Sequence, residues 1–460
     1  MLDYLVTNAR IIDPESGRDF MGSLGISGGK IAGLYSPEEG AKERALQKLD
    51  AEGGILVPGF IDVHAHSDND IPCAEKLLAM GVTTVLSGNC GRGAVDFDTF
   101  FGEFEESGYP VNQAEMTGLS SLREEAGQEN VYQCASAAQR EVMKELAGKA
   151  LDRGAWGISF GIEYTPGASE EELKEMALIA SGAGRLITVH VGSRYPGDTD
   201  SLAYILEMGM KFGVRVIISH LVYMFVGDPL RKAMEIIDRC RAKGADVWVD
   251  SGMYTAFATG ADSAVFDEQN ITYGGDFHFD RLRAATGKYA GRFIDLEKFR
   301  EIRRDFPGDS LIYDPGHPED VFTAYSLKDV MVSTDCIGNP PGQGHPQGAA
   351  TYPLFFRVMV KERRQFSLHE ALRRCTTIPA RAMGCGGKGR IAPEGDADLV
   401  ILDWDRLHER ADFPGLGNPD APPDGVKHVF VNGVLSIENE KRVPGVLAGK
   451  CLKGGKPCAL

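Results

Sequence analysis

The middle of the chain alternates short apolar, β-rich runs with amphipathic helical stretches. This alternation is typical of βαβ units, which place their strands in one parallel sheet covered by helices. The predicted strands are residues 55–63, 81–87, 111–117, 155–160, 185–191, 214–219, 245–250, 310–313 and 329–334. The predicted helices include residues 138–152, 169–183, 199–212, 228–243 and 366–384. We expect an α/β fold built on a (β/α)₈ barrel, although nine strands are one more than such a barrel uses.

Both ends of the chain carry a different pattern, in which short apolar runs alternate with glycine-containing turns. Such a pattern favours short antiparallel strands and hairpins. Neither end has enough strands to be stable alone, so residues 1–57 and 386–460 are predicted to form one small β-sandwich domain. The barrel would then occupy residues 58–385. Within it, residues 256–308 show no clear strand and are predicted to be an insertion or lid.

Charge and composition exclude several classes of partner. The chain has 49 basic and 66 acidic residues, a formal net charge of −17, which repels nucleic acids and anionic membranes. No apolar stretch approaches the roughly 20 residues that span a bilayer, and the first residues lack the basic charge of an export signal. The nine scattered cysteines favour a reducing compartment. We therefore expect a cytoplasmic protein that acts on a small molecule, and the sequence predicts no oligomeric state.

Two histidines at alternate positions follow the first predicted barrel strand. The apolar run Val57–Val63 leads directly into His64-Ala65-His66. Because side chains alternate along a strand, His64 and His66 point to the same side and can reach one metal ion. The carboxyl ends of barrel strands face the catalytic mouth, which is where such a site is expected.

Four other predicted strands lead into side chains that can bind a metal, namely Cys90, His190, His220 and Asp335. Imidazole, thiolate and carboxylate are the usual zinc ligands of proteins. Cys90 could instead be a small core residue, and His190 could orient a substrate or support a ligand. Asp335 could also accept the proton of a water activated by the metal.

A resemblance to the amidohydrolase superfamily is carried by Pro58-Gly59-Phe60-Ile61-Asp62-x-His64-x-His66, Ser219-His220, Thr334-Asp335, Gly389-Arg390-Ile391 and Gly395-x-Ala397-Asp398-Leu399-Val400. Narrower motifs are similar to its D-aminoacylase (N-acyl-D-amino-acid deacylase) branch: Gly88-Asn89-Cys90-Gly91, Gly157-Ile158-Ser159-x-Gly161-x-Glu163-Tyr164-x-Pro166 and Gly344-His345-Pro346. The resemblance implies a metal-bearing (β/α)₈ barrel with a small β-domain made from both termini.

The same resemblance implies one or two divalent ions, usually Zn²⁺, with ligands His64, His66, Cys90, His220 and Asp335. The metal would lower the pKa of a bound water and polarise the scissile carbonyl. Asp335 would take the proton of that water and return it to the leaving amine. Weaker candidates for contacts with the substrate are His190, Arg194, Tyr254 and His345.

Departures from the family pattern leave the substrate open. The strand that ends at Asp250 has no imidazole, so either the site holds fewer ions or Asp250 or His190 replaces the missing ligand. No lysine follows His220 closely, and Gln347 stands where an arginine often follows the His-Pro pair. Arg194 or Arg92 would then supply the charge for a substrate carboxylate. The sequence favours an N-acyl-D-amino acid deacylase; the alternatives are a cyclic-amide hydrolase (hydantoinase or dihydropyrimidinase-like) and a non-catalytic barrel that binds a small molecule.

Overall fold

The computed structural model describes residues 1–192, 198–267 and 278–455. Its strands are β1 (Leu2–Asp13), β2 (Arg18–Ser27), β3 (Lys30–Tyr35), β4 (Ala45–Asp50), β5 (Ile55–Pro58), β6 (Phe60–Asp62), β7 (Ala65–His66), β8 (Val82–Ser87), β9 (Asn112–Glu115), β10 (Thr117–Gly118), β11 (Gly157–Gly161), β12 (Leu186–His190), β13 (Val216–Ile218), β14 (Val247–Ser251), β15 (Phe257–Gly260), β16 (Leu282–Ala284), β17 (Ser310–Tyr313), β18 (Val330–Val332), β19 (Cys336–Ile337), β20 (Leu399–Leu402), β21 (Val426–Val431), β22 (Val434–Glu438), β23 (Lys441–Arg442) and β24 (Cys451–Leu452).

The α-helices are α1 (Pro37–Gly40), α2 (Ile71–Ala79), α3 (Phe97–Ser107), α4 (Leu119–Glu125), α5 (Ala137–Arg153), α6 (Glu170–Gly182), α7 (Asp200–Phe212), α8 (Leu221–Met224), α9 (Asp228–Ala242), α10 (Leu296–Asp305), α11 (Pro318–Ser326), α12 (Gln347–Phe355), α13 (Leu368–Cys375) and α14 (Thr377–Met383). Several begin at a side chain that accepts a backbone N–H of the first turn, as Asp70, Asp96, Ser136 and Ser169 do. None of the described helices is long and apolar enough to span a membrane.

Eight parallel strands form the barrel. In order they are β6, β8, the interrupted strand β9–β10, then β11, β12, β13, β14 and β18. Their side chains are almost all buried, as expected where helices cover the outside of a parallel sheet. The predicted (β/α)₈ architecture is confirmed.

The two ends of the chain build one nine-stranded sheet. Its order is β23-β22-β21-β20-β5-β1-β2-β3, with β4 paired to β1, so strands from both termini meet where β20 pairs with β5. Its core contains Val6, Ile11, Leu56, Leu399 and Phe430, all fully buried. The small β-domain of the predicted fold class is therefore present, and its core draws on both ends of the chain.

The predicted insertion at 256–308 contains strands, so the prediction that it has no clear strand was wrong. It contains β15 and β16, which pair antiparallel with β17 in a separate three-stranded sheet. The predicted strand 310–313, which is β17, is therefore the surplus one and lies outside the barrel. The residues at 268–277 lie outside the described part of this segment.

Two further predictions need correction. The predicted helix 366–384 is two helices, because Thr376 (φ −136°, ψ −74°) interrupts the helical backbone between α13 and α14. The tail assigned to the small β-domain returns to the barrel, where β24 pairs in parallel with β9. We propose that residues 1–57 and 386–460 form the small β-domain and that residues 58–385 form the barrel. The tail strand β24 is the exception, because it pairs with the barrel.

His428 supplies a pH-dependent contribution to stability. It is 2% exposed in β21, and burial, aided by Lys427, lowers its pKa to about 4. The folded state therefore favours the neutral ring. The resulting gain in folding stability is complete above the unfolded pKa of about 6.5, and it is lost as the pH falls towards the folded pKa of about 4. The apparent Tm of the wild type is expected to fall when the pH is lowered from 7.5 to 5. In His428→Gln, we expect this fall to be smaller by about 2 °C.

The thermal unfolding of both proteins, followed by circular dichroism at each pH, measures this difference. The exposed His278 provides the control variant His278→Gln. Equal pH dependence in His428→Gln and the wild type would show that His428 titrates alike in the folded and unfolded states.

Candidate metal centre

The predicted ligands meet at the carboxyl ends of the barrel strands. His64 and His66 follow β6, Cys90 follows β8, and Asp335 follows β18. His190 is the last residue of β12, and His220 follows β13. Six side chains from five separate segments of the chain are thus brought together at the mouth of the barrel, where catalytic groups of this fold lie.

Cys90 stands at the centre of the cluster. Its Sγ lies 3.3 Å from His64 Nε2, 3.5 Å from His190 Nδ1 and 3.5 Å from His220 Nε2. Two ligands of a tetrahedral zinc ion, one sulfur and one nitrogen, are about 3.5 Å apart, given the usual Zn–S and Zn–N bond lengths. The donor atoms therefore already have the spacing of a zinc coordination shell.

Asp335 forms a second group with the first two histidines. Its Oδ1 lies 3.4 Å from His64 Nε2 and 3.2 Å from His66 Nε2. Donor atoms of His64, His66 and Asp335 lie close enough to hold one ion, and those of His64, Cys90 and His220 form an alternative group that shares His64. Cys90, His190 and His220 also lie within 3.5 Å of one another, so the donors fit one ion, or two ions if His64 binds only one of them.

Three of the predicted ligand residues have a backbone conformation that non-glycine residues rarely adopt. The φ angles of Cys90, His220 and Asp335 are 53°, 33° and 51°, in the left-handed region. Such a conformation costs about 1–3 kcal/mol and persists where the surroundings enforce it. At His220 the backbone N–H donates to Asp250 Oδ1 at 2.8 Å, and Ser333 donates to the same oxygen.

A carboxylate that the sequence analysis gave no role supports the cluster. Glu163 Oε2 lies 2.9 Å from His190 Nε2, on the side of the ring opposite Cys90. A carboxylate in this position orients a metal-binding imidazole and increases its basicity. Its only sequence signal was membership of the motif after β11. Because His190 Nδ1 also lies 3.5 Å from Cys90 Sγ and 3.0 Å from His220 Nε2, His190 is a further candidate metal donor.

The charges of the site suit a cation. Burial by itself would raise the pKa of the Cys90 thiol, but the neighbouring His64 and His190 hold that pKa well below its ordinary value. Burial by itself would also raise the pKa of Asp335, but the neighbouring His64 and His66 lower that pKa strongly. Burial opposes protonation of His66, but Asp335 and Cys90 raise its pKa to about 10. Thiolate and carboxylate are the forms that bind a metal, so binding an ion would release protons from the imidazoles.

A cavity of about 300 Å³ opens onto these groups. Its walls include His66, Cys90 and Asp335 from the barrel, and Thr259 and Asp262 from the insertion. Tyr164 also lines it and donates to Thr259 Oγ1 at 3.1 Å. Arg92 is the only arginine or lysine among the described wall residues, and it is paired with Glu124 at 2.6 Å.

Two of the weaker candidates, Tyr254 and His345, do not line this cavity. Tyr254 and His345 pack on each other with ring centroids 4.8 Å apart, and neither lies in the cavity wall. Burial lowers the pKa of His345 to about 3, so its ring is neutral. Tyr254 instead lines a separate cavity with Phe413. Arg194 lies outside the described residues.

Replacing Glu163 by glutamine is expected to weaken zinc binding about 10- to 100-fold, because the charge that supports His190 is lost. Competition with a zinc-binding dye at pH 7.5 measures the affinity. Glu170→Gln, an exposed substitution in the first turn of α6, is the control. An affinity equal to that of the wild type would mean that Glu163 does not support a metal ligand.

The chain is similar to known proteins over nearly its whole length. An amidohydrolase family model matches residues 329–436. The chain is 30% identical to an N-acyl-D-glutamate deacylase of Alcaligenes xylosoxydans xylosoxydans, over 94% of this chain and 93% of that protein. It is 26% identical to a D-aminoacylase of the same organism, over 98% and 97% of the two chains.

Solved structures agree with these relatives. The N-acyl-D-glutamate deacylase from Bordetella bronchiseptica, complexed with zinc and a phosphonate inhibitor, has a TM-score of 0.85 and 26% identity, covering 98% of this chain and 99% of that one. A D-hydantoinase shares the fold alone, with a TM-score of 0.64 and 15% identity. By its similarity over nearly its whole length to N-acyl-D-amino acid deacylases, the chain belongs to the D-aminoacylase branch of the amidohydrolase superfamily and is a metal-dependent amidohydrolase.

Proposed function

We propose that this protein is a zinc-dependent deacylase that hydrolyses the amide bond of an N-acyl-D-amino acid. The observation that carries the proposal is the cluster of donor atoms around Cys90, with spacings of 3.3–3.5 Å, below a cavity of about 300 Å³. Support comes from relatives that are named as deacylases of N-acyl-D-glutamate and N-acyl-D-aspartate.

The residues at the site are assigned to two ions. Cys90, His190 and His220 would hold the first, and His64, His66 and Asp335 the second, with Cys90 within reach of both. This donor set of imidazole, thiolate and carboxylate suits Zn²⁺. A bound zinc ion lowers the pKa of a coordinated water and polarises the carbonyl of the substrate.

Asp335 carries the proton transfers. Its carboxylate lies in the cavity wall, and contact with His64 and His66 keeps its pKa low. It can accept the proton of the attacking water and then donate it to the amine that leaves. The Tyr164 hydroxyl, which lines the same cavity, can donate a hydrogen bond to a substrate oxygen if it leaves Thr259. The products are a carboxylic acid and a free amino acid.

The substrate carboxylate needs a cation. Arg92 can supply it from the cavity wall if it leaves Glu124, and Arg194 is a second candidate outside the described residues. The pairing of Arg92 with Glu124 favours a second candidate function, hydrolysis of a neutral cyclic amide, because such a substrate needs no cation.

Metal analysis and a substrate screen test the proposal. Protein purified without chelator or affinity metal is expected to contain about one to two zinc ions per chain. The screen compares N-acetyl-D-glutamate, N-acetyl-D-aspartate and N-acetyl-D-leucine with their L-enantiomers, hydantoin and dihydrouracil, and we expect acetate release from the D-compounds. Ring opening without acetate release would favour the cyclic-amide hydrolase, and a zinc-loaded protein inactive on every compound would contradict both.

The remaining expectations stay proposals. The cysteines that the structure describes are all free, which agrees with a reducing compartment such as the cytoplasm. The net charge of −17 supports a small-molecule amide as the ligand, in preference to nucleic acid.

A further inference from the structure

The barrel closes at a seam between its last and first strands. Among the described residues no strand ladder joins β18 to β6. The seam is held by the two-residue ladder of β19 with β7, by the Asp335 N–H bonded to the His64 carbonyl at 2.9 Å, and by Thr334, which donates to Asp62 at 2.5 Å. His66 lies on one side of this seam and Asp335 on the other, so its width sets the spacing of two proposed metal ligands.

A pair of cysteines spans the same seam. Cys336 is the residue after Asp335, and Cys73 lies in the first turn of α2, which follows His66. The two Sγ atoms are 2.8 Å apart, and both residues are at most 1% exposed. This separation is greater than the 2.03–2.05 Å of a disulfide and less than the roughly 3.5–4.0 Å of ordinary packing between heavy atoms.

The surroundings hold the pair together. The backbone N–H of Cys73 is tied to the Asp70 side chain that caps α2. On the other side, Gly348 of α12 packs against Cys336, where a Cβ atom would approach the Cys336 sulfur to 2.6 Å. Cys336 is therefore enclosed between α12 and Cys73. A disulfide between the two sulfur atoms would require them to approach each other by less than 1 Å.

We propose that Cys73 and Cys336 are a redox modification site, at which a small peroxide forms a disulfide that fastens the seam of the barrel. One thiol attacks a peroxide oxygen; the O–O bond breaks, and a sulfenic acid and one water form. The second thiol attacks the sulfenic sulfur, and the S–S bond forms with release of another water. Two thiols and one hydrogen peroxide thus yield one disulfide and two waters, and the two electrons lost by the sulfurs reduce the peroxide.

The bond would act on the site through the backbone. It joins α2 to β19, and β19 carries Cys336 directly after Asp335 while pairing with Ala65 and His66. It would also close a loop between residues 263 apart in the chain, which restricts the unfolded state. The reaction is expected to be slow, because Cys336 and burial raise the pKa of the Cys73 thiol well above its ordinary value.

Peptide mapping tests the proposal on the zinc-loaded full-length protein. After prolonged exposure to excess hydrogen peroxide, free thiols are alkylated in denaturant and the non-reduced digest is examined by mass spectrometry. We expect a linked peptide pair containing Cys73 and Cys336, which disappears on reduction. The exposed Cys134 reports that the oxidant has acted.

Stability provides a second readout. The oxidised wild type is expected to unfold at an apparent Tm about 3 °C higher than the reduced protein, and this gain should be absent in Cys73→Ser. In Cys240→Ser, which removes another buried cysteine, the gain should remain. Complete alkylation of Cys73 and Cys336 after Cys134 has been oxidised would overturn the proposal, as would a linkage of either residue to a different cysteine.

Discussion

Replacing Asp335 by asparagine is expected to lower kcat/KM for the preferred substrate about 10³-fold. The substitution keeps the size of the side chain but removes the base, and general acid–base catalysis contributes typically 10²- to 10⁴-fold. It also removes the negative charge of the carboxylate, whose Oδ1 lies 3.2 Å from His66 Nε2 and 3.4 Å from His64 Nε2. The first ion, assigned to Cys90, His190 and His220, should remain, so zinc content should fall by no more than about one equivalent per chain.

Steady-state kinetics together with elemental analysis of the same sample measure both effects. Asp329→Asn makes the same charge change at the opposite end of β18 and is expected to leave kcat/KM unchanged within about threefold. If Asp335→Asn keeps its zinc and more than a tenth of the wild-type kcat/KM, another group must accept the proton.

Cys90→Ser is expected to have the second large effect, the loss of zinc from the protein. The thiolate lies within 3.5 Å of three imidazoles and within reach of both proposed ions. A serine hydroxyl is not ionised at neutral pH, and it cannot form the Zn–S bond of about 2.3 Å. We expect less than about 0.2 zinc per chain after dialysis and at least a 10³-fold lower kcat/KM.

Cys240→Ser serves as the matched control, because Cys240 is also a buried cysteine but lies on α9, away from the cluster. It is expected to keep its full zinc content. A Cys90→Ser protein that retains stoichiometric zinc would remove Cys90 from the ligand set and leave the imidazoles and Asp335 to hold the metal.

Local sequence pattern was sufficient to predict much of the barrel. Most strands needed for it appear as short apolar runs, because both faces of a parallel strand are buried; β9 (Asn112–Glu115), with three polar side chains, is the exception. The pattern could not identify the surplus strand, since Ser310–Tyr313 is as apolar as the barrel strands. Its place is decided by partners elsewhere in the chain, β15 and β16, with which it pairs antiparallel.

The candidate site shows the same division. His64 and His66 could be paired from sequence because they stand two residues apart on one extended segment. The role of His190 could not be predicted from sequence, because it depends on a contact with Glu163, which lies 27 residues earlier in the chain. The two meet because β11 and β12 are neighbours, with Gly161 opposite His190 in the ladder.

The sequence by itself determined most elements of the barrel and which residue types end its strands, since strand periodicity and side-chain chemistry are local properties. The tertiary structure alone decided which of these side chains lie close enough to share an ion, because strand order sets their separation. It also decided that β5 pairs with β20 where the two ends of the chain meet, and that Cys73 faces Cys336 across the seam. Such contacts join residues hundreds of positions apart, and only the folding of the whole chain brings them together.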